Sequence, residues 1–317
     1  MKRVVVIGSL ACDFVMRVPR RPEKGETVIG TSFDTFVGGK GSNQALACAR
    51  AGAEVSMIGR VGADPFGDML IDKLERAGVD CRFVVRDVEV GTGVAQILVD
   101  AEGDNCIAVA SRANARLSPR DIEAAEPAIG RAGIALLQLE TPLDTAVAAV
   151  RLAKASGARV VLNPAPAPAD GALPPELYRH VDLLVPNQSE AELLTGRAAV
   201  DLGGALEAAR ILTARGAAAV IVTLGQLGAL LVDEGGVATT VPAFEVEVRD
   251  TTAAGDAFCG VLVAALAGGK SLADAVVWGS AGGALACTRL GAEPSIPAKE
   301  DVERLVLSRA PSAPRGV

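Results

Sequence analysis

The segment "DTTAAGDAF" sets one carboxylate, Asp256, after a run of small residues and at the head of an apolar stretch. Small side chains leave backbone amides open, and the amides at a helix N-terminus bind anionic oxygens. A helix is expected from about 255, so Asp256 falls in its first turn, where the macrodipole favours a charged carboxylate. A plain helix cap is the other reading of an Asp at this point. In "VGGKGSNQALACARAG" (37–52), Lys40 and Asn43 offer donors beside a second expected helix start, and Gly38, Gly39 and Gly41 let backbone approach a ligand closely. It is not a Walker A loop, because no Ser or Thr follows Gly-Lys. It also does not follow the first strand as a dinucleotide fingerprint does. A tight helix entry is its alternative. In "NQSE", Asn187 and Glu190 stand three residues apart at a helix start and face one way. They suit a water-coordinated Mg²⁺ or, equally, a capping box. In "TLGQLGALL" (223–231) a strand, a Gly turn and a second strand could line a nucleotide's phosphate or ribose, or form a simple hairpin.

Composition narrows the chemistry further. The chain has 317 residues, 50% hydrophobic and 22% charged, enough for one large domain or one domain with a small insertion. A net charge of -7 leaves no basic footprint for nucleic acid or anionic membrane. One Trp and one Tyr argue against base stacking as the main binding mode. A phosphate ligand must therefore be held locally, by amides, a metal ion and a few Lys or Arg. Six scattered cysteines, none as C-x-x-C, suggest reduced thiols and a cytoplasmic setting. His180 is the only histidine, which disfavours Ser-His-Asp, Cys-His and multi-His metal chemistry, and a surface or helix-end role is expected for it. "MKRVVVIGSLAC" has a short apolar run and reads as a buried strand rather than a targeting signal. No stretch reaches the length of a membrane span.

Strand and helix patterns alternate around these segments. Strands are expected over 4–7, 54–58, 134–139, 159–162, 183–185 and 219–223, several as continuous Val/Ile/Leu runs of the kind covered on both faces. Helices are expected over 41–51, 66–77, 143–156, 189–194, 204–215, 255–267 and 272–288. The pattern is α/β: three layers, α/β/α, with a mostly parallel central sheet. Segments 12–18, 27–36, 92–99 and 105–110 read as strands without helices between them. We expect them to form a small β-sheet lid, inserted at about 12–36 and 92–111 into a single domain over 1–317. Segments 230–232, 237–241 and 244–248 read as antiparallel edge strands, and "RAPSAPRGV" as a frayed tail.

Together the four segments resemble the ribokinase-like sugar kinases of the phosphofructokinase-B type. "GGKGSN" and "DTTAAGD" look like that family's two signatures. "PRRPEKGETVIG", "LQLETPLDTAVAAV", "LNPAPAP", "VPNQSEAELLTG" and "TRLGAEPSIP" are similar to family segments in the same order. The resemblance implies transfer of the ATP γ-phosphoryl group to a sugar hydroxyl, the 5-hydroxyl of D-ribose, with Asp256 as general base. Its partner would be that hydroxyl. Ala253, Ala254 and Gly255 would present amides to the transferring phosphate. The positions similar to sugar contacts are Ala11, Asp13, Gly39, Lys40, Asn43 and Glu140, with Asp256 itself. Those similar to ATP contacts are Asn187, Thr223, Gly225, Gly228, Gly255 and Ser280. Mg²⁺ would sit near Glu190 through water, and K⁺ near Asp250, Thr252, Ala286, Arg289, Gly291 and Ser295. A homodimer paired through the lids is implied as well.

The sequence departs from the family in places. Ala11 stands where Asn is usual two residues before the sugar-binding Asp, and Arg112 where Gly is usual near the lid. Ser280 stands where His or Asn is usual near adenine. The first two leave another sugar or a nucleoside open as acceptor. A non-enzymatic sugar- or nucleotide-binding regulator on the same fold is the alternative of another class.

Overall fold

A computed structural model of the chain describes residues 1–308 and 315–316. Its strands are β1 (Val4–Ile7), β2 (Ala11–Arg17), β3 (Ser32–Gly38), β4 (Val55–Gly62), β5 (Val79–Asp87), β6 (Gly93–Val99) and β7 (Asn105–Ala110). After them come β8 (Ile134–Leu137), β9 (Arg159–Leu162), β10 (Leu183–Leu184), β11 (Ala219–Thr223), β12 (Ala229–Val232), β13 (Ala238–Val241) and β14 (Arg315–Gly316). The helices are α1 (Lys40–Arg50), α2 (Pro65–Arg76), α3 (Pro119–Ala124), α4 (Glu126–Ile129), α5 (Leu143–Ala155) and α6 (Pro175–His180). They continue with α7 (Gln188–Thr195), α8 (Leu202–Ala214), α9 (Ala254–Ala267), α10 (Leu272–Ala286) and α11 (Lys299–Ser308).

The central sheet runs β14-β13-β12-β11-β10-β9-β8-β1-β4-β5. From β11 to β5 every pairing is parallel, while β12, β13 and β14 add on antiparallel. Alternate strand residues feed two cores, as a sheet covered on both faces requires. Val5, Ile7, Leu137 and Val160 pack with Ala149, Val150 and Leu212 of α5 and α8. Val4, Val6, Leu136 and Val161 pack with Leu46 of α1 and Leu262 and Val263 of α9. The three-layer α/β/α reading therefore holds, and its active layer is the second one, where α1 and α9 lie side by side.

A second sheet, ordered β3-β2-β6-β7, joins its two hairpins through a parallel β2–β6 pair. Its segments are the four read from the sequence, although β3 begins at Ser32 rather than at 27. Pairing with β2 runs out there, where Arg17 meets Ser32.

Several elements differ from expectation. The 244–248 segment is not a strand. The edge it would have used, beside β13, is taken by β14. Arg315–Gly316 of the terminal segment is thus paired rather than frayed, and the rest of "RAPSAPRGV" lies outside the described residues. Strand β5 had no counterpart in the sequence reading. A register shift between Ser56 and Ile58 puts an extra β5 residue into the ladder, so burial falls on Val79 and Cys81 and then on Val84. That break in alternation hides the period of two. The short helices α3, α4 and α6 were likewise unread. His180 ends α6 and hydrogen-bonds the Glu176 carbonyl at 2.8 Å, the helix-end role expected of it. The six cysteines are all unpaired. Among the described residues no helix is long and apolar enough to cross a membrane.

Candidate active site

Helices α1 and α9 touch at Gly260. A Cβ there would lie 2.3 Å from the Ala47 Cβ and 2.9 Å from the Cys48 nitrogen, so only glycine lets the two backbones come this close. This contact brings the polar start of α1 against the first turn of α9. Asn43 Nδ2 donates to Asp256 Oδ2 at 3.0 Å, and Gln44 Nε2 donates to Asp256 Oδ1 at 2.9 Å. Asp256 is thus partnered by the protein itself, where the sequence reading gave it only a substrate hydroxyl. Burial pushes its pKa up, and Lys40, Gln44 and Asn43 oppose that rise.

The helix start is open. Ala253, the N-cap of α9, takes a left-handed conformation (φ 59°, ψ 10°), and no side chain caps the helix. The Ala254 amide donates to the Thr251 carbonyl at 3.2 Å, so it is not free for an anion as expected. The amides of Gly255 and Asp256 have neither an intrahelical nor a capping partner.

A cavity of about 200 Å³ lies in front of this turn. Lys40, Asn187, Glu190, Thr223, Ala253, Gly255 and Asp256 line it, together with Asn163, Thr251 and Cys259. All four segments singled out in the sequence therefore meet at one place. Asn187 and Glu190 do form the capping box: Asn187 Oδ1 accepts from the Glu190 amide at 2.8 Å, and Glu190 Oε2 accepts from the Asn187 amide at 2.9 Å. They line the cavity as well, so the two readings coexist. Burial raises the Glu190 pKa against the pull of the Asn187 amide and of Lys40. Burial pushes the Lys40 pKa down, but Asp256, Glu140 and Glu190 outweigh it and hold the ammonium above its ordinary range. One half-buried cation thus sits among three carboxylates.

Behind Lys40, Glu140 fixes the glycine loop. Its Oε2 accepts from the Lys40 amide at 2.9 Å and from the Ser9 hydroxyl. Asp13 on β2 lies against Gly38, the cross-strand partner of Ala11 in the β2–β3 pair. Burial, then Glu140 and Asp256, raise its pKa to about 7, with Lys40 opposing. Ala11 packs beside Gly39, whose Cβ position is 2.8 Å from the Ala11 nitrogen. Asp13, Asn43, Glu140 and Gly39 thus form a second shelf next to the cavity, on the side of the small sheet.

Other candidates stand apart. Gly225 opens the turn after β11, and Gly228 is a glycine for the fold's own sake, since its Cβ would meet the Val241 carbonyl at 2.1 Å. Ser280 lies on α10 outside the cavity lining, with its buried Oγ unpartnered. Asp250 Oδ1 accepts from the Thr252 amide (2.9 Å) and hydroxyl (2.6 Å), and its Oδ2 accepts from the Gly291 amide at 2.8 Å. Burial would raise its pKa, but these donors hold it low. Ala286 accepts from the Arg289 amide at 3.3 Å, Arg289 pairs with Asp301 at 3.5 Å, and the Ser295 hydroxyl donates to the Ala292 carbonyl at 2.7 Å. Arg112 does not line the cavity, and its guanidinium donates to the Thr92 carbonyl at 3.2 Å. Sequence reasoning missed Gln44, Gln138, Asn163 and Asn114. The last brackets Leu10, accepting from its amide at 2.9 Å and donating to its carbonyl at 2.8 Å.

The fold and this arrangement of lysine, carboxylates and open amides fit a small-molecule phosphotransferase, and the comparisons agree. The chain belongs to the pfkB family of carbohydrate kinases, whose family model matches residues 1–299. It is an enzyme of that class, a phosphotransferase with an alcohol group as acceptor. It is 38% identical to the ribokinase of Haemophilus influenzae over 300 residues, covering 95% of this chain and 97% of the relative. It is also 38% identical to the deoxyribokinase of Salmonella typhi over 257 residues, 81% of this chain and 83% of the relative. Among solved structures, Arabidopsis thaliana ribokinase complexed with ribose and ATP is 30% identical with a TM-score of 0.88, covering 96% of this chain and 98% of that one. A regulator without activity is not what these findings support.

Proposed function

We propose that this chain catalyses the ribokinase reaction, ATP-dependent phosphorylation of D-ribose at its 5-hydroxyl. The observation that carries it is Asp256, buried at an uncapped helix start and facing a cavity shared with Lys40 and Glu190. The acceptor oxygen would form a bond to the γ-phosphorus while the bond to the ADP oxygen breaks, and its proton would pass to Asp256. The Gly255 and Asp256 amides would bind the oxygens of the transferring group. Asn43 Oδ1 is buried without a partner while its Nδ2 serves Asp256, so it is ready to accept from a sugar hydroxyl. Asp13 and Glu140 would accept from others, and Asn187, Thr223, Gly225 and Gly228, with Ser280, would face the nucleotide.

Mg²⁺ suits the Asn187–Glu190 pair. Each Glu190 oxygen accepts one hydrogen bond from Asn187 and keeps a lone-pair direction for metal-bound water. Bound there, it would neutralise phosphate charge. K⁺ suits the loop tied by Asp250, Thr252 and Gly291, with Ala286, Arg289 and Ser295 supplying carbonyls. Its role would be to set the loop that leads into Ala253.

The purified protein with ATP, Mg²⁺ and K⁺ is expected to release ADP only when D-ribose is added, and ribose-independent or absent ADP release sinks the proposal. Ala11 favours one second reading. Its methyl group offers no hydrogen bond to an acceptor, and a deoxyribokinase is among the relatives. Comparing kcat/KM for D-ribose and 2-deoxy-D-ribose decides between them. The single domain over 1–317, with the small sheet as its lid, belongs to the same proposal, as does a cytoplasmic setting. So does a homodimer through that sheet. Strand β7 is exposed along its whole length, and Phe33, Ile107 and Val109 are exposed on the sheet. Light scattering at micromolar concentration should give twice the chain mass, and a monomer there counts against it.

A further inference from the structure

Gln44 does not line the cavity, yet it holds one side of the carboxylate that does. Its side chain is fully buried in α1. A glutamine amide has an acceptor end and a two-proton donor end, and either could face a neighbour. Here the neighbours decide. Gln138, just past β8, donates from Nε2 to Gln44 Oε1 at 2.6 Å. The Gln44 NH₂ group must then point the other way, where two acceptors wait: Asn163 Oδ1 at 3.0 Å and Asp256 Oδ1 at 2.9 Å. Asn163 in turn is oriented by donating to the Val185 carbonyl at 2.8 Å. Three buried amides thus run from the ends of the central strands to one carboxylate oxygen, with both Gln44 protons committed.

We propose that Gln44 is a positioning residue for Asp256. Oriented by Gln138 and Asn163, it pins Oδ1 and so aims Oδ2, the oxygen shared with Asn43, at the acceptor hydroxyl. A donor fixed on a carboxylate also favours its charged form. The inference rests on Asp256 acting as base.

The test is the pH dependence of ribose phosphorylation in the full-length enzyme. Gln44→Met should lower kcat about tenfold to a hundredfold with ATP KM nearly unchanged. Its acid limb in kcat/KM should move up by about one pH unit, because the base loses a donor. Gln138→Met should move the limb the same way but less. The double variant should be no worse than Gln44→Met alone, because Gln138 acts through Gln44. Should Gln44→Met fail to fold, Gln44→Glu keeps the acceptor for Gln138 and replaces the donor with a carboxylate oxygen. Its limb should move further still. A variant that melts like the parent but keeps the parent's acid limb overturns the inference, as does a double variant whose losses multiply. Asp256→Asn is run alongside. Its loss of turnover beside an unmoved Gln44 profile overturns this inference alone, whereas full turnover overturns the base reading and this inference with it.

Discussion

Asp256 and Asp13 are both more than nine-tenths buried, but they keep different company. Asp256 stands in the first turn of α9 and receives two amide hydrogen bonds from α1, in the layer that packs on the central sheet. Asp13 stands on the small sheet, and among the described residues its carboxylate receives no hydrogen bond. The nearest charges to act on it are Glu140 and Asp256, with Lys40 as the one opposing cation. Buried polar groups are nearly always paired. The difference therefore divides the site into a half whose carboxylate the frame pairs by itself and a half whose carboxylate is left open to a ligand or solvent. A sugar, which carries several hydroxyl donors on one face, supplies what Asp13 lacks.

The largest expected effects test that division directly. Asp256→Asn should lower kcat by about 10²–10⁴-fold, the usual contribution of a positioned base, with little change in sugar KM. Asp13→Ala should instead raise the sugar KM by roughly tenfold to a hundredfold, the loss expected when charge-assisted hydrogen bonds go unmade, with a smaller change in kcat. Steady-state kinetics in both substrates reads the split. Equal losses in kcat for the two variants, with sugar KM unmoved, would break the comparison.

The better-framed half was also the more legible in the sequence. "DTTAAGD", "GGKGSN" and "NQSE" each announce a helix start with open amides or a cap, and such signals are local. The amide relay behind Asp256 is not local. Gln44 sits inside an Ala-rich run, and only the contact of α1 with α9 at Gly260 shows why a polar side chain is there. One signal was present: Gln138 and Asn163 each directly follow a buried strand, at the C-terminal strand ends where α/β sites gather. Sheet edges fared worst. The edge beside β13 goes to a segment some seventy residues downstream, and nothing in 244–248 itself tells against strand. Arg112 was legible only as a departure from the family, because the contact its guanidinium makes, with the Thr92 carbonyl twenty residues away, is tertiary.

Titration separates the two carboxylates a second way. Folding raises the Asp13 pKa to about 7, so the folded chain binds that proton more tightly than the unfolded one. Asp13 therefore contributes a stability loss that grows as pH rises from about 4 toward 7 and is full above that. Asp13→Asn removes the titration. Its unfolding free energy should draw ahead of the parent's through this window, by a margin on the order of a few kcal/mol at pH 8, read from melts at each pH. Saturating sugar should shrink the margin, because hydroxyl donors favour the charged form. The sugar KM of the parent should correspondingly rise as pH falls below about 7. A parent and variant that melt in parallel from pH 4 to 8 would mean that Asp13 is satisfied without ligand, and the division would fail.

The smallest effect bears on how rigid the completed half must be. Ala253 holds a left-handed backbone that disfavours any residue with a Cβ by about 1–2 kcal/mol. Ala253→Gly relieves that strain but loosens the unfolded chain by roughly 0.5–1 kcal/mol, so the net gain in stability should be at most about 1.5 kcal/mol. The residue two positions before the open amides of Gly255 and Asp256 becomes freer at the same time. Preorganised donors act because they need no reorganisation as charge develops. A slightly more stable enzyme with kcat reduced by about two- to fivefold is therefore expected, read from thermal melts and initial rates on the same preparation. Equal stability gain with full turnover would show that the α9 start is held by its packing alone. The strain at Ala253 would then be incidental, and the rigidity attributed to this half would rest on the α1–α9 contact and the amides that meet there.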